Sequence, residues 1–131
     1  MIIDSSGLIA ILRDEPEAAS FAAVIEAAET RRLSAASYVE TAAVIDRAND
    51  PVASRHVDEL LRVADIAIEA VTEQQARIAR QAFRDFGKGS GHPAQLNFGD
   101  CFSYALAKST GEQLLFKGQD FIHTDLQLAA T

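Results

Sequence analysis

The sequence predicts an α/β fold: a single domain with a central, mostly parallel sheet of four to five short strands and helices on both faces. Three observations carry that prediction. Apolar runs of three to six residues recur along the chain, each short enough for a strand. The segments between them place apolar residues at helical spacing. Small polar or Gly/Pro turns separate the two kinds of segment. Strands that alternate with helices pair through crossovers, which makes neighbours parallel and lays helices over both faces of the sheet.

The first strand is Ile2-Ile3-Asp4, followed by a turn at Ser5-Ser6-Gly7 and a short helix through Leu8-Ile9-Ala10-Ile11-Leu12. A second helix is expected near Asp14-Glu15-Pro16, where Pro suits the first helical position and the acids suit the positive end of the dipole. Its buried stripe is Phe21, Val24, Ile25 and Ala28. Leu33-Ser34-Ala35 reads as the second strand, and Ser37 then caps a helix with Tyr38, Ala42 and Ile45 on one face. Asp50-Pro51 opens another helix, with Val57, Leu60, Leu61 and Ala64 as its stripe. The β-branched run Ile66–Val71 is the third strand. Thr72 with Gln75 matches a capping box, and the helix it starts buries Ala79, Ala82, Phe83 and Phe86. Residues 87–99 hold four of the seven glycines and form the one long loop. A helix from about Asp100 to Thr110 ends at Gly111, a good C-cap. Leu114-Leu115-Phe116 is the fourth strand and Leu126-Gln127-Leu128-Ala129 a fifth. No repeat or linker interrupts the chain, so residues 1–131 are expected to be one domain.

Composition narrows the class. With 48% hydrophobic and 24% charged residues, seven Gly and three Pro, the chain is neither disordered nor low in complexity. Its single cysteine, Cys101, can form neither an internal disulfide nor a thiolate zinc site, which favours a reducing compartment. There is no apolar run of 18 residues and an acid stands at position 4, so neither a membrane span nor a signal peptide fits; a cytoplasmic location is expected. The net charge of −7 argues against passive electrostatic binding of nucleic acid. Yet residues 77–92 carry Arg77, Arg80, Arg84 and Lys88 against Asp85 alone, a local net of +3. That patch is either a solvated helix face or a contact for an anionic ligand.

Ligands of open α/β sheets bind outside the carboxyl ends of the strands. Asp4 ends the first strand, Glu40 lies early in the helix after the second, Asp100 opens the helix before the fourth, and Asp120 follows that strand. Each has a structural explanation as well: Asp4 as a cap, Ser37-x-x-Glu40 as a capping box, Asp100 as a helix-start acid after Asn97, Asp120 as a turn residue. Together they argue differently. Carboxylates gathered at one edge repel, and a divalent cation relieves that repulsion. An all-oxygen set without a Cys/His cluster points to Mg²⁺, with Mn²⁺ as substitute, and suits metal-assisted phosphodiester hydrolysis.

These residues resemble a known family. Ile2-Ile3-Asp4-Ser5-Ser6-Gly7-Leu8-Ile9-Ala10 resembles the amino-terminal signature of PIN-domain nucleases, and Ser34–Glu40 their second motif. The stretch Leu96–Ala107 resembles the third motif, and Leu114–Phe121, with Thr124-Asp125 after it, the fourth. Four motifs in order, over a chain near 130 residues, resemble the VapC-type toxins of bacterial VapBC toxin–antitoxin pairs. The resemblance implies a Mg²⁺-dependent endoribonuclease acting on RNA, neutralised by a cognate VapB-type antitoxin and homodimeric. It also implies that Asp4 and Asp100 are metal ligands and that Glu40 completes the carboxylate set, directly or through water. Ser6 would hydrogen-bond to that set from behind. In the fourth motif many members carry an acid where this chain has Gly118, which leaves Asp120 or Asp125 as the fourth acid.

Other residues read more plainly. Arg80, Arg84, Lys88 and Lys117 are the candidates for contacts to the RNA backbone. Phe98, Phe102 and Tyr104 are expected in the core, Cys101 as a small buried hydrophobe, and His92 as an inert loop residue. Two alternatives are a catalytically inactive PIN-like module acting only through protein binding, and a phosphoacceptor receiver domain. The latter requires its third acid to end a strand, whereas Asp100 belongs to a helix.

Overall fold

The computed structural model describes all 131 residues. The element order is β1 (Ile2–Ile3), α1 (Ser5–Leu12), α2 (Ala18–Ala27), β2 (Arg32–Ser34), α3 (Ala35–Asp46), α4 (Pro51–Val63), β3 (Ala67–Glu69), α5 (Glu73–Phe86), α6 (Asp100–Thr110) and β4 (Leu114–Leu115). The sheet has four strands in the order β3-β2-β1-β4, all parallel. Alternation along the strands sends side chains to opposite faces. Ile2 and Leu114 join Ala79, Ala82, Leu96 and the buried side of α6, while Ile3, Leu33 and Leu115 join Leu8, Phe21, Ile25 and Leu61. The predicted α/β class and two-sided covering are therefore present. No helix is long and apolar enough to cross a membrane.

Several boundaries differ from the expectation. The fifth strand is absent: residues 126–129 contribute only an isolated bridge, Leu114 to Leu128. Ser5-Ser6-Gly7 is the first turn of α1 rather than a loop, because the Asp4 carboxylate accepts from the Ser6 N–H at 3.0 Å and starts the helix at once. α2 begins at Ala18, two residues after Pro16. The cap of α3 is Ser34, whose hydroxyl accepts from the Ala36 N–H at 3.3 Å, and not Ser37. Buried positions of that helix run Ser37, Thr41, Ile45 at i, i+4, i+8. β3 is shorter than the apolar run around it and is an edge strand, with Ile68 47% exposed.

The last helix follows the expectation closely. α6 spans Asp100–Thr110, Gly111 closes it in the left-handed conformation at φ 73, and seven of its eleven residues are buried. It is the central helix, and it delivers Asp100 to the same sheet edge as the end of β1.

Candidate active site

Four acids line one pocket of about 190 Å³: Asp4, Glu40, Asp100 and Asp120. They come from four separate parts of the chain, each placed by a local device. Asp4 follows β1 and caps α1, so its carboxylate is fixed on arrival. Oδ2 accepts from the Ser6 N–H at 3.0 Å and from the Ser6 hydroxyl at 2.6 Å; Oδ1 accepts from the Ser103 hydroxyl at 2.6 Å. The Ser6 hydroxyl in turn accepts from the Lys117 N–H at 2.9 Å, tying the start of α1 to the segment after β4. Ser6 thus joins Asp4 to the segment after β4.

Asp100 is held reciprocally with Asn97. The Asp100 N–H donates to Asn97 Oδ1 at 2.8 Å, and the Asn97 N–H donates to Asp100 Oδ2 at 3.0 Å. This is the logic of a capping box, so Asp100 serves the helix start and the pocket together. Glu40 lies in the second turn of α3, too far along to cap it; Ser5 donates its hydroxyl to Glu40 Oε1 at 2.6 Å. Glu40 also packs against Gly99. A β-carbon there would fall 2.0 Å from Glu40 Oε2, so only glycine leaves room for the carboxylate. Asp120 reaches the pocket through Gly118, whose φ of 108 belongs to the region glycine adopts freely. That backbone accounts for a glycine where an acid was expected.

Asp125 is elsewhere. It accepts from the Tyr104 hydroxyl at 2.6 Å and pairs with Lys108 at 2.7 Å, outside the pocket. Of the four basic candidates only Lys117 lines the acidic pocket, and its ammonium is held by Glu15 at 3.0 Å and Glu17 at 3.1 Å. Its hydrogen bonds to the Glu15 and Glu17 carboxylates keep it above its ordinary pKa. Arg80 and Arg84 stand on the exposed side of α5 and Lys88 is exposed in the loop after it. Phe98 and Phe102 are not core residues. Phe98 is 75% exposed and meets Phe102 edge-on at 5.1 Å, whereas Tyr104 is buried as expected. Phe83 is also exposed. Cys101 is buried, and burial with the nearby Asp100 charge pushes its thiol up to about 11, which makes it the inert hydrophobe expected. His92 sits edge-on to Phe86 at 4.8 Å, away from the acids.

Enclosure sets the electrostatics. Asp4 is 2% exposed and Asp100 7%. Burial raises the Asp100 carboxyl most, the Asn97 N–H partly offsets it, and the charges of Asp4 and Asp120 with a hydrogen bond to Asp120 raise it further, to about 7. No cluster of three or more His, Cys, Asp or Glu is gathered tightly enough to cage a metal alone. The donors present, two enclosed carboxylates with two more at the pocket wall, instead fit a hard cation that keeps several of its waters. The paucity of local positive charge fits it as well.

Sequence reasoning missed three supports of this site: Ser5, Ser103 and Gly99. Gly99 and Ser103 lie inside the third motif and Ser5 inside the first, yet nothing local marks their partners.

Comparison with known proteins agrees with the geometry. The family model for the PIN domain matches residues 1–126. Ribonuclease VapC28 of Mycobacterium tuberculosis is 59% identical over 129 residues, covering 98% of this chain and 97% of that protein. Ribonuclease VapC42 of the same species is 50% identical over 131 residues, covering 100% of each. Among solved structures, Mycobacterium tuberculosis VapC20, described as a sarcin–ricin loop cleaving toxin, superposes with a TM-score of 0.76 at 16% identity, over 99% of this chain and 98% of that one; it shares the fold. The family resemblance drawn from the four motifs is borne out: this chain belongs to the PIN-domain family and, within it, to the VapC ribonucleases.

Proposed function

We propose that this protein is the toxin of a VapBC-type toxin–antitoxin pair, a Mg²⁺-dependent endoribonuclease whose site is the acidic pocket. The observation that carries the reading is the convergence of Asp4, Glu40, Asp100 and Asp120 on one small pocket in a chain 59% identical to a named VapC ribonuclease. Asp4 and Asp100 would hold the cation, with Mn²⁺ able to replace it. Bound there, a divalent cation supplies Lewis-acid activation of water and neutralises charge on the scissile phosphate. The remaining work belongs to the protein. Glu40, anchored through Oε1 by Ser5, and Asp120 accept hydrogen bonds from the attacking water and orient it. Ser6 and Asn97 keep Asp4 and Asp100 in place.

Arg80, Arg84 and Lys88 are the residues proposed to meet the RNA backbone, supported by their exposure and the local excess of positive charge. Lys117, shared between Glu15 and Glu17, is better suited to shaping the pocket than to binding phosphate. A VapB-type antitoxin is the expected protein partner, and a homodimer the expected assembly. The apolar hollow of about 320 Å³ between α5 and α6, walled by Phe83, Phe98 and Phe102, is a face whose burial would stabilise association, and a second copy is the occupant proposed for it. Light scattering on Phe98→Asp against the parent chain tests it, and a monomeric parent would end the dimer reading.

The main test is cleavage. Structured RNAs incubated with the protein should be cut in Mg²⁺ and spared in EDTA, and Asp100→Asn should lose cleavage while keeping its circular dichroism spectrum. Full activity of Asp100→Asn in saturating Mg²⁺ would overturn the site.

A further inference from the structure

Behind the pocket lies a chain of buried hydroxyls. Ser103 is 0% exposed and stands one turn after Asp100 on α6; its hydroxyl lies 2.6 Å from Asp4 Oδ1 and 3.1 Å from the hydroxyl of Ser37. Ser37 is itself buried, one turn before Glu40 on α3. Thr41, buried beside it, spends its own proton on the Ser37 backbone carbonyl at 2.8 Å, so the hydroxyl chain begins at Ser37.

The direction of the chain follows from proton inventory. A hydroxyl has one proton to give, and a carboxylate only accepts. Ser103 gives its proton to Asp4, so the proton between Ser37 and Ser103 comes from Ser37. Each donor is strengthened by the one behind it. Nothing about the helices themselves asks for these serines. Both are buried, where an unpaired hydroxyl is costly, and at Ser103, past the first turn of α6, alanine is the better helix former.

We propose that Ser37 and Ser103 are positioning residues that set the Asp4 carboxylate for the divalent cation, locking α3, α6 and the end of β1 in one register. Three acids ride on the three elements so joined: Glu40 on α3, Asp100 on α6 and Asp4 after β1. The Ser6 contacts hold Oδ2 from one side and Ser103 holds Oδ1 from the other, so rotation of the carboxylate is stopped from both directions. This inference rests on Asp4 and Asp100 being the metal ligands.

The test is a Mn²⁺ titration followed by electron paramagnetic resonance on the full chain, with RNA cleavage measured in parallel and melting in EDTA as the check of folding. Ser103→Ala should raise the Mn²⁺ dissociation constant about 10-fold and lower kcat, leaving KM for RNA unchanged. Ser37→Ala should shift it in the same direction by less. The double variant should be no weaker than Ser103→Ala, because Ser37 acts only through Ser103. Asp4→Asn belongs in the same titration. If Asp4→Asn binds Mn²⁺ as the parent does, the ligand assignment fails and the inference with it. If Asp4→Asn weakens binding and Ser103→Ala does not, the ligand assignment stands and the relay is overturned. Additive losses from the two serines would overturn the series arrangement. Should Ser103→Ala melt too low to titrate, an unchanged constant in Ser37→Ala overturns the relay on its own.

Discussion

At the amino end of β1 the Glu112 carboxylate meets the Met1 amino group, the Thr30 hydroxyl at 2.6 Å and Arg32 Nε at 2.9 Å, and Arg32 reaches on to Glu69 at 3.1 Å. At the carboxyl end of the same strand, Asp4, Glu40 and Asp100 meet hydroxyls and backbone amides, and the ammonium lining their pocket, Lys117, is already shared by Glu15 and Glu17. Burial acts on both ends. It would raise Glu112, but hydrogen bonds from Met1 and Thr30, with Arg32 nearby, bring it below its ordinary value. It does raise Asp100, and Asp4 and Asp120 add to the effect until the carboxyl reaches about 7. One end of the sheet compensates its charge within the fold; the other leaves it uncompensated, which is how a site for an imported cation differs from a structural ion pair.

Neutralising one acid at each end should therefore give opposite results, and this is the largest effect expected. Asp100→Asn should reduce cleavage on the order of 10³-fold, yet stabilise the protein in EDTA at pH 8. The sign follows from linkage. A carboxyl whose folded pKa lies near 7 against an ordinary 3.8 binds its proton more tightly in the folded state, so stability falls as pH rises through that window and levels off above it. The stability of the metal-free parent should fall by about 2–3 kcal/mol between pH 5 and pH 7.5, and its melting temperature with it. Asp100→Asn should flatten that slope, and Mg²⁺ should restore stability at the upper end. Glu112→Gln should do the reverse: cleavage intact, stability lower by about 1–2 kcal/mol. Calorimetry across pH with and without EDTA checks both, and a destabilised Asp100→Asn at pH 8 would break the contrast.

A smaller effect tests how tightly the acidic end is built. Gly99→Ala puts a methyl 2.0 Å from Glu40 Oε2, at the tip of a flexible side chain. Glu40 can swing away, so stability should change by less than about 1 kcal/mol, while cleavage falls roughly 10- to 100-fold because the carboxylate leaves its place. A variant as active as the parent would show that the Glu40 position is not demanding.

What the sequence disclosed follows the same division between local and distant causes. α6 was legible to both ends because its signals are adjacent: Asn97 and Asp100 cap each other, and Gly111 stops the helix. The cap of α3 was not. Ser34 and Ser37 are equally good candidates, and the choice depends on where β2 ends, which its pairing with β3 decides. The same error made Glu40 look like a capping residue, when its partner is Ser5, 35 residues away. Ser103 and Asp4 are separated by 99 residues, so no spacing could join them. The helical stripe through Phe83 is apolar as its spacing predicts but is left uncovered at Phe83, since periodicity names a face without saying what lies on it.

The least disruptive change separates the two acids that the sequence left interchangeable. Asp120 lies in the pocket and adds its charge to that of Asp4 around Asp100. Asp125 sits between Tyr104 and the half-exposed Lys108. Asp125→Asn keeps an acceptor for the Tyr104 hydroxyl and gives up one solvent-screened ion pair, so stability should move by less than about 1 kcal/mol, with cleavage unchanged. Asp120→Asn should reduce cleavage about 10-fold or more with no loss of stability, because it removes a like charge from a crowded pocket. If instead Asp125→Asn is the inactive variant, the acid that matters lies outside the pocket, and the contrast between the two ends of β1 would no longer explain where this protein does its chemistry.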